Sequence, residues 1–203
     1  NRLRVLKNAY VTTGKSIKKR PALVEIFDVS EEDDPDFASI GLFAAKGNLY
    51  TFGYSNATYS NPLIKRLNVD DSTSKTANAV YFVDSYLQEG DGQSYIFAVI
   101  GYDDDSILYW YFNGDTIKYL TDSNCPNTKQ VVKVGNKIFA VSTDKDTVKF
   151  CATGNAKDWT TANDAGFINT GDQRVNCGDS TALGIFNNKL AVLGGTRLNI
   201  KMG

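Results

Sequence analysis

The stretch that decides the fold runs from residue 134 to residue 153 and reads VGNKIFAVSTDKDTVKFCAT. A Gly135-Asn136 pair separates an apolar run at 131–134 from a second one at 137–141. Asn and Gly tolerate positive φ angles, which two-residue hairpin turns require. The sequence therefore predicts a tight β-hairpin whose turn is Gly135-Asn136.

The same pattern recurs along the chain. Asn187-Asn188 and Gly47-Asn48 also separate apolar runs and predict hairpin turns, and Gly90-Asp91-Gly92 is a looser copy. The turn positions 47, 92, 135 and 187 lie 45, 43 and 52 residues apart. Polar turns then lead into predicted third strands at 107–112, 147–152 and 197–202. A recurring antiparallel unit of three or four strands at this spacing is typical of β-propeller blades.

The central strands of these units are apolar at consecutive positions, as in YIFAVI (95–100), KIFAV (137–141) and KLAVL (189–193). A strand covered on one face alternates between apolar and polar residues, whereas a continuous apolar run indicates cover on both faces. Blades stacked around an axis provide such cover, and a large β-sandwich is the alternative. We expect an all-β chain in which residues 1–203 form one β-propeller-like domain.

Composition limits the classes of function. Of the 203 residues 42% are hydrophobic and 22% charged, and the net charge is −1. A charge this close to neutral disfavours tight nonspecific binding to phosphates, which depends on many unpaired Lys and Arg residues. No apolar run reaches the length of a membrane span. The chain starts at Asn1 and ends at Gly203 within a predicted strand, so we expect a fragment, or the ordered part, of a longer protein.

The chain contains no histidine. This excludes Ser-His-Asp and Cys-His catalysis, His-ligated zinc and imidazole acid–base chemistry within these residues. Cys125, Cys151 and Cys177 include no C-x-x-C pair and are expected to be buried or half-buried thiols. We predict no catalytic residue, no metal site, no cofactor and no enzyme activity.

Four charged or aromatic stretches have competing interpretations. The basic stretch 15–21, which contains Lys18, Lys19 and Arg20, either contacts phosphates or is a solvated strand, and the composition favours the solvated strand. The acidic run 31–36 is expected to be an exposed loop. The triple aspartate at 103–105 lacks the spacing of a calcium loop and predicts a hairpin turn. The aromatic residues at 109–112 either pack in a core or stack on sugars or bases, and packing is favoured at strand positions.

Two segments resemble a known family. LKNAYVTTGKSIKKRPALVEIF (6–27) resembles the N-terminal segment of the tail tubular B, or nozzle, proteins of short-tailed phages. VKFCATGNAKDWTTANDAGFINTGD (148–172) is similar to a segment of nozzle and packaged-DNA stabilisation proteins, in which V-x-F-S leads into Gly-Asn/Asp-Pro-x-x-Trp, Phe-Ile and a Gly-Asp turn. Here Ala156 replaces the usual proline and Cys151 the usual serine. LGIFNNKLAVLGGTRLNIK (183–201) also resembles the propeller strands of that family.

The resemblance implies a structural virion protein of a phage tail, synthesised in the host cytoplasm. Its subunits contain a propeller, and six copies form a ring below the portal and adaptor through which DNA passes during genome ejection. A DNA conduit should not hold its cargo, and a nearly neutral subunit is compatible with that demand. The competing class is a carbohydrate-binding propeller or a tail-associated glycosidase that uses the aromatic residues.

The resemblance also suggests roles for individual residues. Trp159 is expected to be a structural anchor, with its ring folded over the preceding hairpin and its indole N–H bonded to a loop carbonyl. Lys18, Lys19 and Arg20 are expected to serve assembly or the DNA channel. Adjacent residues of an extended segment point in alternating directions, so these three cations cannot form a rigid surface for reading bases. A contact with the acidic run 31–36 of another copy is favoured over weak contact with passing phosphates.

Overall fold

The computed structural model describes residues 9–11, 17–19, 38–54, 64–70, 75–143, 147–169, 182–194 and 197–200. Within these ranges the secondary structure is β-strand, apart from turns and a single-turn 3-10 helix at Thr161–Asn163. A short hairpin precedes four larger sheets. The predicted all-β class is therefore confirmed for the described part of the chain.

The strands follow one another in chain order within every sheet. The N-terminal hairpin pairs β1 (Ala9–Val11) with β2 (Ile17–Lys19). The first sheet contains β3 (Ala38–Ala45), β4 (Asn48–Tyr54) and β5 (Ile64–Asn68). The second sheet contains β6 (Ala77–Leu87), β7 (Ser94–Tyr102), β8 (Ile107–Phe112) and β9 (Ile117–Tyr119).

Two further sheets complete the described structure. The third sheet contains β10 (Val131–Val134), β11 (Lys137–Val141), β12 (Thr147–Phe150) and β13 (Gly166–Asn169). The fourth contains β14 (Ala182–Phe186), β15 (Lys189–Gly194) and β16 (Arg197–Ile200). All pairs are antiparallel except β4 and β5, which are parallel. The prediction of almost entirely antiparallel structure is thus confirmed for the described strands, with one parallel pair as the exception.

The residue types in the turns determine where two of the hairpins form. Val134 lies opposite Lys137, so Gly135 and Asn136 form the two-residue turn, with Gly135 at φ 61°. Asn187 and Asn188 form the turn between β14 and β15 with φ angles of 50° and 58°. Both turns are confirmed where the sequence predicts them, because both residue types tolerate the left-handed region.

The hairpin between β3 and β4 differs from the prediction by one residue. Ala45 pairs with Asn48, so the turn residues are Lys46 at φ 50° and Gly47 at φ 73°. Asn48 is the first residue of β4 instead of a turn residue. The prediction of Gly47-Asn48 was wrong in register because strand pairing continues to the last apolar residue and leaves Lys46 in the turn.

The four sheets stack face to face in chain order, and β7 shows how. Tyr95, Phe97 and Val99 belong to a core cluster shared with the third sheet, whereas Ile96, Ala98 and Ile100 belong to a cluster shared with the first sheet. Alternate residues of a strand point to opposite faces, so this strand is buried on both. The consecutive apolar run therefore has the two-sided cover that the sequence predicts.

The third sheet repeats the arrangement. Ile138 and Ala140 of β11 face the second sheet, and Val141 with Phe139 packs in a third cluster with Leu190 of the fourth sheet. The first strands of successive sheets also touch: β3 with β6, β6 with β10, and β10 with β14. The described chain is thus a stack of mainly antiparallel sheets, and no closed barrel or propeller is identified among these residues.

Candidate functional site

The contacts between the second and third sheets form the most extensive polar feature of the described chain. The side chain of Asn136 accepts a hydrogen bond from Leu87 N at 2.9 Å through Oδ1 and donates one from Nδ2 to the Leu87 carbonyl at 2.7 Å. Gly154 N donates to the Asn136 carbonyl at 3.0 Å, and Glu89 N donates to the Gly154 carbonyl at 2.6 Å. We call Leu87, Glu89, Asn136 and Gly154 the inter-sheet junction.

Gly154 fits this junction for two reasons. Its φ angle is 67°, in the left-handed region that favours glycine. A Cβ atom there would lie 3.0 Å from Asn136 Nδ2 and 3.1 Å from Glu89 Cβ. Gly154 therefore has a packing role in this chain. It belongs to the segment 148–172, for which the sequence analysis noted a resemblance to phage nozzle proteins.

Trp159 lies next to the junction and is 4% exposed. Its indole N–H donates to the Ala156 carbonyl at 3.1 Å, and its ring centroid is 5.9 Å from that of Tyr109. The backbone N–H of Trp159 donates to Asp122 Oδ2 at 2.8 Å, which attaches the segment to the loop after β9. The ring, the indole N–H and the backbone N–H are therefore all engaged; the contribution of Trp159 to stability stays a prediction.

Two cysteines lie inside this core. Cys125 and Cys151 are buried free thiols, and Cys177 lies outside the described residues. Burial raises the pKa of Cys125 to about 12 and that of Cys151 to about 11. Since the thiolate is the nucleophilic form, neither thiol is suited to covalent catalysis.

The aromatic run of β8 divides between the two faces of the second sheet. Tyr109 is buried toward the third sheet, and Trp110 and Phe112 are buried toward the first. Tyr109 donates to the Thr128 carbonyl at 2.8 Å, and Trp110 Nε1 donates to Tyr102 Oη at 2.7 Å. Packing is thus the main role of this run.

One open cavity lies beside Trp110. It has a volume of about 420 Å³ and is lined by Asn68, Asp70, Trp110, Ile117, Lys118, Tyr119 and Thr121. Trp110 pairs with Tyr119 across β8 and β9, so their rings share a face, with centroids 5.4 Å apart at 70°. Tyr119 is 37% exposed. The cavity therefore combines an accessible aromatic ring with a carboxyl, an amide and an ammonium group.

Hydrogen bonds hold the wall of this cavity. Tyr102 Oη donates to the Val69 carbonyl at 2.7 Å while it accepts from Trp110, and Val69 N donates to the Gly53 carbonyl at 2.9 Å. Asp70 N donates to Asn68 Oδ1 at 2.9 Å. Oδ1 of Asp70 is buried and has no hydrogen-bond partner among the described residues. Burial raises the pKa of Asp70, and the negative charge of Asp103 adds to the shift against an opposing backbone hydrogen bond from Ala77.

The charged stretches are described only in part. Lys18 and Lys19 lie in β2, opposite Tyr10 and Ala9 of β1, which gives the extended backbone that the sequence predicts. Arg20, the acidic run 31–36 and most of the segment 6–27 lie outside the described residues, so a contact between the basic and acidic stretches stays a prediction.

The triple aspartate forms the turn between β7 and β8, as predicted. Asp104 forms an ion pair with Lys75 at 2.8 Å and accepts a hydrogen bond from Ser106 N at 3.0 Å. The hydrogen bond from Lys75, followed by those from Ser106, lowers the pKa of Asp104 to about 2. These contacts stabilise the turn.

The cavity was missed in the sequence analysis. Asn68 is the last residue of β5 in the first sheet, and Asp70 follows that strand. Lys118 and Tyr119 belong to β9, the fourth strand of the second sheet, whose register was not predicted. Cross-strand pairing places Tyr119 on the same face as Trp110, and that relationship depends on register. The signal in the sequence was the pair of polar residues, Asn68 and Asp70, on either side of Val69.

Comparisons with known proteins add no assignment. A scan against protein-family models and searches of curated proteins and of solved structures found no match. Among the described residues, no group of three or more His, Cys, Asp or Glu side chains is placed to hold a metal ion. In the same part of the chain, no helix is long and apolar enough to cross a bilayer. The resemblance to phage nozzle proteins stays a hypothesis.

Proposed function

We propose that this chain is the propeller part of a structural phage tail protein, a subunit of the nozzle ring through which DNA leaves the virion. The observation that carries the proposal is the packing of the segment 148–172, one of the segments that resemble the nozzle family. Within it, Gly154 joins the inter-sheet junction, and Trp159 is buried against Tyr109. These residues have packing roles, which suits a protein whose function depends on shape.

The order of the sheets supports a propeller. Successive blades of a propeller pack face to face and bring their first strands toward the axis. The four sheets stack in chain order, and β3, β6, β10 and β14 form successive contacts. Closure of a ring of blades from these sheets would bring the first and fourth sheets toward each other.

The nearly neutral net charge of the chain supports a channel that lets DNA pass without binding it tightly. The whole chain has a net charge of −1. Each phosphate that a protein neutralises adds salt-dependent affinity, and such affinity would resist sliding. Several described lysines are also engaged: Lys133 pairs with Asp84 at 3.0 Å, and Lys137 pairs with Asp164 at 3.1 Å.

Electron microscopy tests the proposal. We expect negatively stained protein, alone or mixed with portal and adaptor proteins, to form rings with sixfold symmetry and a central opening. A protein that stays monomeric under all these conditions would contradict the nozzle role. A hydrolysis assay on bacterial surface polysaccharides separates the competing glycosidase class: saturable cleavage abolished by one Asp or Glu substitution would replace the structural role with an enzymatic one.

A further inference from the structure

We propose that the cavity beside Trp110 and Tyr119 binds one pyranose unit of a glycan, a binding function separate from ring formation. Pockets that bind small ligands combine apolar or aromatic walls with a few polar groups that fix orientation. The cavity has both, and its volume of about 420 Å³ lies within the range of about 300 to 1,000 Å³ that is usual for such sites.

The aromatic wall suits a sugar ring. A pyranose presents C–H groups on its faces and hydroxyl groups around its edge, so a face packs on an aromatic ring while the edge forms hydrogen bonds. Tyr119 is 37% exposed, and its ring packs against that of Trp110 in an edge-to-face contact with centroids 5.4 Å apart. The ring of Tyr119 is therefore accessible and fixed, which lowers the entropy lost on binding.

The polar wall suits hydroxyl groups. Asp70 and Asn68 supply acceptors, and Lys118 supplies a donor. Asp70 lines the cavity, and its Oδ1 atom has no hydrogen-bond partner among the described residues. A buried polar atom without a partner is unfavourable, and a hydroxyl donor that reaches the carboxyl group would remove that cost.

The same groups disfavour two other ligands. Asp70 and the neighbouring Asp103 would repel the phosphates of a nucleotide. Hydrolysis of a glycan normally needs two carboxyl groups that flank the scissile bond, and Asp70 is the one carboxyl residue among the described residues that line the cavity. These groups thus favour binding of an uncharged saccharide.

The test measures binding of saccharides to the purified protein. A glycan array covers bacterial surface polysaccharides, and titrations with glucose, galactose and N-acetylglucosamine are followed by saturation-transfer nuclear magnetic resonance. We expect at least one saccharide to bind, Tyr119→Ala to weaken it about tenfold, equivalent to about 1.4 kcal/mol, and Tyr119→Phe to keep it. Phe167→Ala is the matched control because Phe167 is an aromatic residue outside the cavity and is 59% exposed.

The inference is overturned if no saccharide binds the wild type, or if Tyr119→Ala binds as tightly as the wild type. Equal weakening in Phe167→Ala would also overturn it. If Tyr119→Ala melts far below the wild type, wild-type protein with labelled tyrosine rings decides: saccharide-dependent shifts of the Tyr119 signals support the site, and their absence rejects it. Ring formation in the microscope is a separate readout, so failure of either proposal is recognised by itself.

Discussion

Asn136 and Leu87 are 49 residues apart in sequence, yet the Asn136 side chain bonds to both backbone polar groups of Leu87, at 2.9 Å and 2.7 Å. The amide side chain acts as a strand partner would, donating to the carbonyl and accepting from the N–H of one residue. A turn residue of the third sheet thereby fixes the end of β6 in the second. This contact links the second and third sheets through a single side chain, so a substitution of Asn136 tests its contribution.

Asn136→Ala should lower the free energy of unfolding by about 1 to 3 kcal/mol, because it removes two hydrogen bonds worth about 0.5 to 1.5 kcal/mol each. Asn48→Ala is the matched control: Asn48 also follows a turn glycine, but its side chain bonds only locally, to the Lys46 carbonyl at 3.3 Å. The control should change stability by less than about 0.5 kcal/mol. Urea denaturation measures both variants, and equal losses would show that the junction adds nothing.

Trp159→Ala should lower stability by about 3 to 5 kcal/mol, the range for removal of a large buried aromatic residue. The indole is 4% exposed, contacts Tyr109 and donates to the Ala156 carbonyl, so truncation leaves a cavity and an unpaired acceptor. Thermal melting and denaturant titration measure the loss. A melting temperature indistinguishable from that of the wild type would leave Trp159 without an anchoring role.

Gly41→Ala tests the packing of the first sheet on the second. A Cβ atom at Gly41 would lie 2.7 Å from Val80 Cγ2, and the branched valine has little freedom to move away. We expect a loss of about 1 to 3 kcal/mol from overpacking. Gly184→Ala is the matched control in the first strand of the fourth sheet, where a Cβ atom meets nothing within 4 Å. Similar effects of the two substitutions would argue against a close contact of β3 with β6.

The buried thiols should make stability fall at alkaline pH. Burial raises the pKa values of Cys125 and Cys151 to about 12 and about 11 from the ordinary value of 9.0. Between the unfolded and folded values the native state holds more protons, so the free energy of unfolding decreases as pH rises above about 9. Denaturation of a Cys177→Ser variant across this range measures the slope.

The same Cys177→Ser variant should react slowly with a thiol reagent at about pH 8, where the native thiolate is scarce. Full reactivity should appear in denaturant, since unfolding exposes both cysteines. Complete labelling of the native variant within the time needed for unfolded protein would contradict the burial of Cys125 and Cys151.

Replacement of Lys18, Lys19 and Arg20 by Gln should impair ring formation at low salt, where attraction between subunits is least screened. A triple variant of the exposed residues Lys46, Lys65 and Lys129 removes the same charge elsewhere and serves as the control. Sedimentation and electron microscopy score the rings. Normal rings with altered DNA release would assign the basic stretch to the channel instead of the subunit contact.

The features of this fold that could be predicted from the sequence are those set by neighbouring residues; the pairings between distant residues could not be predicted. The turns at Gly135-Asn136 and Asn187-Asn188 and the bounds of β8 (Ile107–Phe112) follow from neighbouring residues. The parallel pairing of β4 with β5 was not predicted, because the hairpin turns in the sequence indicate antiparallel neighbours only. The cavity depends on the register of β9 against β8, and the Asn136 contact joins residues far apart in sequence. Neither the cavity nor the Asn136 contact could be predicted from neighbouring residues.

Because β7 is buried on both faces, it is sensitive to which of its side chains point to which face of the sheet. Insertion of one residue ahead of Tyr95 would exchange the faces of every following side chain. Tyr95, Phe97 and Val99 would turn toward the first sheet, and the smaller set that includes Ala98 would turn toward the third. Neither neighbouring sheet would then meet the shapes it packs against. A single inserted codon in β7 should therefore disrupt two cores at once, whereas one in an exposed turn should be tolerated.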